Sequence, residues 1–314
     1  MEYRNSEYPF VSIVVVVLNM ETTIHKCLLS LTSLSYPRER YEIVVVDGGS
    51  TDRTLMICKR FGLRCVVERK RGRGLARNVG IKSSKGEIVA FIDADCTAPR
   101  DWLSVHVASY SDSSIGAVTG AVANPYLSLS TKPAILMHYE NFAEFDESLK
   151  RQNIYHAPTC NTSYRRSVLE LVGLFDESLD VYEDFILSKR ITNAGYRILF
   201  EPSAKVVHFG ITPEMSTSSY MAREQRMGAA HFGAQTVNRF IFGRLPMNRY
   251  LVLPFVPLIV LSRATRELWK LLRVRRLATD IFAVPYLLLG SVMWGLSYAR
   301  ASRFSEKKRM GEIG

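Results

Sequence analysis

Two carboxylates stand two residues apart in Asp93-Ala94-Asp95, directly after the apolar run Ile88–Ile92. Oxygen ligands at that spacing suit a hard divalent ion such as Mg2+ or Mn2+, with phosphate oxygens completing the shell. Other polar groups follow apolar runs in the same way: Asn19 and Glu21 after Val11–Leu18, and Asp47 after Ile43–Val46. Further on, Glu183-Asp184 opens the segment Phe185–Ala194, and His208 follows Lys205–Val207. Asp and Asn are ordinary turn formers and helix caps, so no single one of these residues marks a site. Their recurrence at the ends of successive apolar runs does. Gly72-Arg73-Gly74 with Arg77 offers cationic groups for a diphosphate. The dinucleotide fingerprint G-x-G-x-x-G fails at Arg77, and the P-loop pattern is absent; both hydride transfer and P-loop NTP hydrolysis lose support.

The elements that must position these groups follow from periodicity. Val11–Leu18 is continuous and β-branched, as a strand buried on both faces of a parallel sheet would be. Glu21–Leu34 changes to helical spacing, with Ile24, Leu28 and Leu31 on one face. Ile43–Val46 predicts a second buried strand, Thr54–Phe61 a helix, Cys65–Glu68 a third strand, Gly74–Ser83 a helix and Ile88–Ile92 a fourth strand. Alternation of this kind predicts an α/β architecture with a mainly parallel sheet. Ligands of such sheets sit beyond the carboxyl ends of the strands, where Asn19, Glu21, Asp47, Asp93 and Asp95 all fall. Ile115–Val122, Arg197–Phe200 and Lys205–Val207 read as further strands, and Ala157–Tyr164 leads into a helix over Ser167–Val172.

The net charge of +11 is unevenly spread. Residues 1–220 hold 25 basic and 25 acidic side chains, whereas residues 221–314 hold 16 and 5. A neutral globular domain with a basic appendage argues against a nucleic-acid-binding protein, whose basic face would be spread over its fold. Five cysteines without a C-x-x-C pair make neither a disulfide framework nor a zinc finger. Phe10–Leu18 lacks a preceding basic region and a cleavage site, so it reads as a strand and the catalytic part is expected in the cytoplasm. In the appendage, Ile281–Ala299 is 19 uncharged residues, about one bilayer core as a helix. Tyr250–Leu261 is shorter and carries Pro254 and Pro257. Between them Arg263–Arg276 has six basic residues and one acidic, with Ala264, Leu268, Leu271 and Leu272 on one face. That is the pattern of an interfacial helix on an anionic leaflet. A monotopic attachment or a single span at 281–299 is expected in preference to a hairpin, which would send the six charges outward. Arg223 and Arg226 read as solvated surface residues.

In order and spacing, Val11–Asn19, Val45–Thr54 (VVDGGSTDRT), Gly74–Gly80 (GLARNVG), Gly86–Cys96 (GEIVAFIDADC) and Tyr182–Tyr196 resemble the signatures of family-2 glycosyltransferases. The resemblance covers roughly residues 10–210. It implies the GT-A fold, the nucleotide-diphospho-sugar transferase fold, followed here by C-terminal hydrophobic and amphipathic helices. The catalytic domain is expected over 1–220, with a donor-binding half at about 10–100 and an acceptor half at about 101–220. Residues 221–314 form the membrane-associated helical region. The implied activity is inverting, metal-dependent transfer of a sugar from a nucleotide-sugar donor, UDP-linked by family precedent, to a glycan or polyprenyl-linked acceptor. The implied roles are Asp184 as base with Glu183 beside it, and Asp47 on the nucleobase, where Gly48 replaces a usual second Asp. Asn19 and Glu21 would lie near the nucleoside, Arg77 by the base or phosphates, and Asp93 by the ribose. Asp95 and His208 would hold Mn2+ or Mg2+. The implied location is the cell membrane, with the catalytic domain on its cytoplasmic side. Two alternatives stand beside this: a nucleotidyltransferase of related fold, disfavoured because Asn19-Met20-Glu21 replaces the Gly-rich, Arg-containing loop, and a degenerate membrane scaffold.

Overall fold

The structure is a computed structural model and describes residues 8–179, 181–211, 213–237, 253–273 and 283–310. The chain divides into two compact units. The first comprises Met1–Pro125 and Phe145–Gly210; the second comprises Tyr126–Glu144 and Ile211–Gly314. The units part at residue 210, and the segment Tyr126–Glu144 from the middle of the chain groups with the C-terminal helices.

The first unit is built on one sheet in the order β3-β2-β1-β4-β8-β6-β9-β5, with β7 also paired to β9. Its strands are β1 (Val11–Val17), β2 (Tyr41–Asp47), β3 (Arg64–Val67), β4 (Ile88–Ile92), β5 (Cys96–Thr97), β6 (Ile115–Ala123), β7 (Gln152–Ile154), β8 (Asn161–Arg165) and β9 (Arg197–His208). β3, β2, β1 and β4 are mutually parallel, as their continuous apolar runs predict. β8 enters antiparallel between β4 and β6. It reads poorly as a strand because four polar or aromatic residues, Asn161, Thr162, Ser163 and Tyr164, are all buried. Their hydrogen bonds explain how. Asn161 receives Trp102 Nε1–H at 2.8 Å and donates to the carbonyls of Ala121 and Ala204, at 2.9 and 2.7 Å. Ser163 Oγ meets His106 Nδ1 at 2.9 Å. The Asn-Thr-Ser sequon is thus interior structure. β9 is one strand where two were predicted; a register shift between Gly120 and Val122 of β6 lets it run on through Pro202.

Helices α1 (Ile24–Thr32), α2 (Thr54–Arg60), α3 (Arg73–Lys82), α4 (Trp102–Ala108), α6 (Arg166–Val172) and α7 (Glu183–Asn193) complete this unit; α5 belongs to the other. Val14, Val44, Val46, Val89, Phe91 and Leu187 lie in its main core. α3 presses on β1 at Gly80, where a Cβ would come within 2.3 Å of Val14 Cγ1.

The second unit contains α5 (Lys132–Phe142), α8 (Thr217–Val237), α9 (Val256–Arg273) and α10 (Val284–Met310). Leu136, Tyr139, Tyr220, Ala264 and Leu287 share its core. Arg223, read as a surface residue, is instead half-buried, its guanidinium bonded to Glu140, Glu224 and Asn141. Among the described residues no helix is long and apolar enough to cross a membrane. The expected span at 281–299 is therefore not found: α10 buries Leu287, Ser291, Trp294 and Tyr298 and exposes Leu288, Leu289, Val292 and Leu296. Residues 250–252 and 274–282, parts of the expected apolar and basic segments, lie outside the described residues.

Candidate active site

The loops after β1 and β2 are laced together at the carboxyl edge of the sheet. Asn19, at φ 53°, accepts the N–H of Thr51 at 2.9 Å, and its own N–H donates to Ser50 Oγ at 2.9 Å. Met20 N–H reaches Thr54 Oγ1 at 2.7 Å, and Glu21 N–H reaches Asp52 Oδ2 at 3.1 Å. Glu21 Oε2 accepts from Arg53 N–H at 3.0 Å, which holds its carboxyl below the usual range. Asn19 and Glu21 therefore lie at the expected edge but spend their side chains on shaping it. Asp47 closes the turn after β2. It is 1% exposed, and Ser50 donates to it from both N–H and Oγ. A carboxylate bonded within its own turn is held in place by that turn.

Arg77 reaches from α3 to the start of α7. It is buried, and its Nη1 donates to Glu183 Oε1 across 106 positions of sequence. Its guanidinium also lies over the Phe175 ring at 5.6 Å. It clamps the start of α7. Burial raises the Glu183 carboxyl, as does the Asp184 charge, while Arg77 opposes both. Tyr182, just before α7, sits at φ 69°, a left-handed conformation that a tyrosine adopts only under constraint.

Asp184 comes next on α7. Burial works to raise its carboxyl, but His156 and Arg77 together with the Phe185 N–H win and pull it down to about 2. It is thus ionised at neutral pH. The β5–β9 register sets Cys96 opposite His208, and that brings His208 Nε2 to 3.6 Å from Asp95 Oδ1. Gly210 N–H donates to His208 Nδ1 at 3.1 Å, turning Nε2 toward Asp95. No side chain larger than hydrogen fits at 210, since a Cβ would lie 2.1 Å from Asp95 Oδ2. Ligand atoms of Asp95, Cys96 and His208 all lie within 4.8 Å of one another. A carboxylate oxygen and an imidazole nitrogen at this separation fit a divalent cation. Cys96, which sequence reasoning missed, is buried and its thiol is pushed well above its ordinary value, so it contributes packing more readily than a thiolate. Burial raises the Asp95 carboxyl, with His208 opposing and Asp93 reinforcing. Asp93, half-buried on the same turn, makes no side-chain hydrogen bond among the described residues.

Known proteins resemble this chain in sequence and in fold. The family profile of glycosyl transferase family 2 matches residues 12–173. Glycosyltransferase AglE of Haloferax volcanii is 31% identical over 261 residues, which are 80% of this chain and 83% of that protein. Among solved structures, the mannosyltransferase PcManGT from Pyrobaculum calidifontis, in complex with GDP-Man and Mn2+, superimposes with a TM-score of 0.63. It is 23% identical and covers 95% of this chain and 88% of its own. S. aureus TarS in complex with UDP-GlcNAc gives 0.53 at 18% identity, covering 96% and 92%. These likenesses show the GT-A fold. The chain is a glycosyltransferase that belongs to family 2.

Proposed function

We propose that this chain is an inverting, metal-dependent sugar transferase in which Asp184 is the base. The observation that carries the reading is the ionised Asp184 at the start of α7, in the same unit as the Asp95–His208 pair. The acceptor hydroxyl gives its proton to Asp184 as its oxygen bonds to the anomeric carbon. The bond from that carbon to the donor phosphate breaks, and its electron pair leaves with the nucleoside diphosphate. A single displacement of this kind inverts the anomeric centre. Asp95 and His208 would hold the cation, which supplies neutralisation of charge on the leaving diphosphate. The nitrogen ligand favours Mn2+ over Mg2+. Asp93, without a side-chain hydrogen bond of its own, is free to meet the donor. A UDP-sugar is the first donor to try, following the family; GDP-mannose, bound by PcManGT, is the second.

Attachment to an anionic membrane surface, with a glycan or polyprenyl-linked acceptor, is part of the same proposal, with the catalytic unit on the cytoplasmic side. α9 exposes Leu258, Leu261, Trp269 and Leu272 in the basic third of the chain, and Phe255 just before it is exposed as well. That combination supports monotopic binding at the interface.

The test is a panel of UDP-, GDP- and dTDP-sugars, scoring nucleoside diphosphate release with Mn2+, Mg2+ or EDTA. Release from one donor, lost in EDTA and in Asp95→Ala, is expected. Turnover that survives both treatments overturns the metal role, and absence of both release and calorimetric donor binding points to a scaffold.

A further inference from the structure

The two oxygens of Asp184 are treated differently by the fold. Oδ1 accepts the N–H of Phe185 at 2.7 Å and lies 3.6 Å from Nε2 of His156. Oδ2 accepts no hydrogen bond among the described residues. His156 belongs to the stretch between β7 and β8. Its ring stands edge-on to Phe145 at 5.9 Å and to Phe185 at 5.7 Å, so its plane is fixed from two sides. Nε2 is buried and has no hydrogen-bond partner at normal distance. A buried ring nitrogen left in that condition costs free energy, and the carboxylate it faces is the reacting one. Catalytic contacts are often long in the unliganded enzyme and tighten when substrates bind.

We propose that His156 is a positioning residue for sugar transfer: it holds Oδ1 of Asp184, so that Oδ2 is the oxygen presented to the acceptor hydroxyl. This rests on the reading of Asp184 as the base. The other groups that face Asp184 are Arg77 of α3, Glu183 of α7, Tyr164 of β8 and Cys160 just before it. Arg77 is already committed to Glu183, which leaves His156 as the side chain that orients the Asp184 carboxylate. The proton it donates stays on the ring; the acceptor's proton goes to Oδ2.

The experiment uses the full chain with Mn2+ and follows nucleoside diphosphate release from UDP-glucose, UDP-GlcNAc and GDP-mannose across pH. His156→Leu removes the N–H, and His156→Gln keeps one near the position of Nε2. The leucine variant should lose about tenfold or more in kcat at unchanged donor KM. Its acid limb should rise toward the ordinary aspartate range, and the glutamine variant should recover most of the rate. An unmoved acid limb, or a loss that glutamine fails to recover, overturns the proposal. Asp184→Asn is measured alongside. Full activity there overturns the base itself, whereas an inactive Asp184→Asn with an unaltered His156→Leu overturns only the role of His156. A double-mutant cycle of His156→Leu and Asp184→Asn on urea stability needs no turnover. The proposal expects the two to couple, and purely additive effects overturn it.

Discussion

Both units bury arginines against glutamates, and the two burials do different things. In the first unit Arg77 pairs with Glu183, and the next residue, Asp184, keeps one oxygen without a hydrogen bond among the described residues. In the second unit Arg223 meets Glu140 at 3.0 Å and also contacts Glu224, while Arg263 meets Glu224 at 2.5 Å and Glu140 at 3.4 Å. Tyr220 Oη closes that cluster with a bond to Glu140 at 2.8 Å. The second arrangement ties α5, α8 and α9 to one another and leaves little for a substrate to bind. A buried ion pair is therefore poor evidence of a site by itself. What distinguishes the first unit is an ionised carboxylate held next to the pair with an oxygen still available.

The sharpest way to break this contrast is Asp184→Asn. It keeps the shape and hydrogen-bonding size of the side chain but removes the proton acceptor. Transfer should fall by about 10²–10⁴-fold with donor affinity retained, as for loss of a general base; calorimetry beside steady-state rates checks both halves. Loss of donor binding instead would make Asp184 part of the donor pocket. Arg77→Met comes next. It leaves Glu183 ionisable and buried without its partner, which costs about 3–5 kcal/mol for a broken buried pair. Chemical denaturation measures that cost. Its effect on rate is expected to follow from loosening the start of α7. If the variant is stable but loses donor affinity, Arg77 does reach the ligand.

The sequence shows the chemistry of these groups better than it shows their partners. Asp93, Asp95, Asp184 and His208 fall at element ends that periodicity alone locates, because a strand buried on both faces has one edge where polar residues begin. Nothing local in the sequence shows the partners of Arg77 and Asp47. The partner of Arg77 is 106 positions away, and Asp47 is consumed by Ser50, within the turn that made it conspicuous. Cys96 escaped notice because its nearness to His208 depends on the β5–β9 register. The antiparallel β8 was obscured by polar residues whose hydrogen bonds come from α4, β6 and β9. Likewise, α5 has no local feature that assigns it to the C-terminal helices. Its Glu140 does so, through arginines more than 80 positions on.

That glutamate gives the smallest effect and tests the other side of the comparison. Burial pushes Glu140 up to about 7, as does the charge of Glu224, against Arg223 and Arg263. An unfolded glutamate titrates near ~4.3, so between that value and about 7 the folded chain holds more protons than the unfolded one. Stability contributed by this group is then fully present below the lower value and is lost as pH rises through the upper one. The difference between wild type and Glu140→Gln should change by roughly 1 kcal/mol or more across that window, since one pKa unit is worth about 1.4 kcal/mol. Hydrogen exchange in α5 and α9 reads it locally, and sugar transfer should not follow the same curve. A flat difference would mean that the two arginines keep Glu140 ionised throughout, making the cluster a fully paired clasp. A transfer rate that tracks the curve would instead tie the helical unit to the reaction, and the contrast between the two burials would no longer stand.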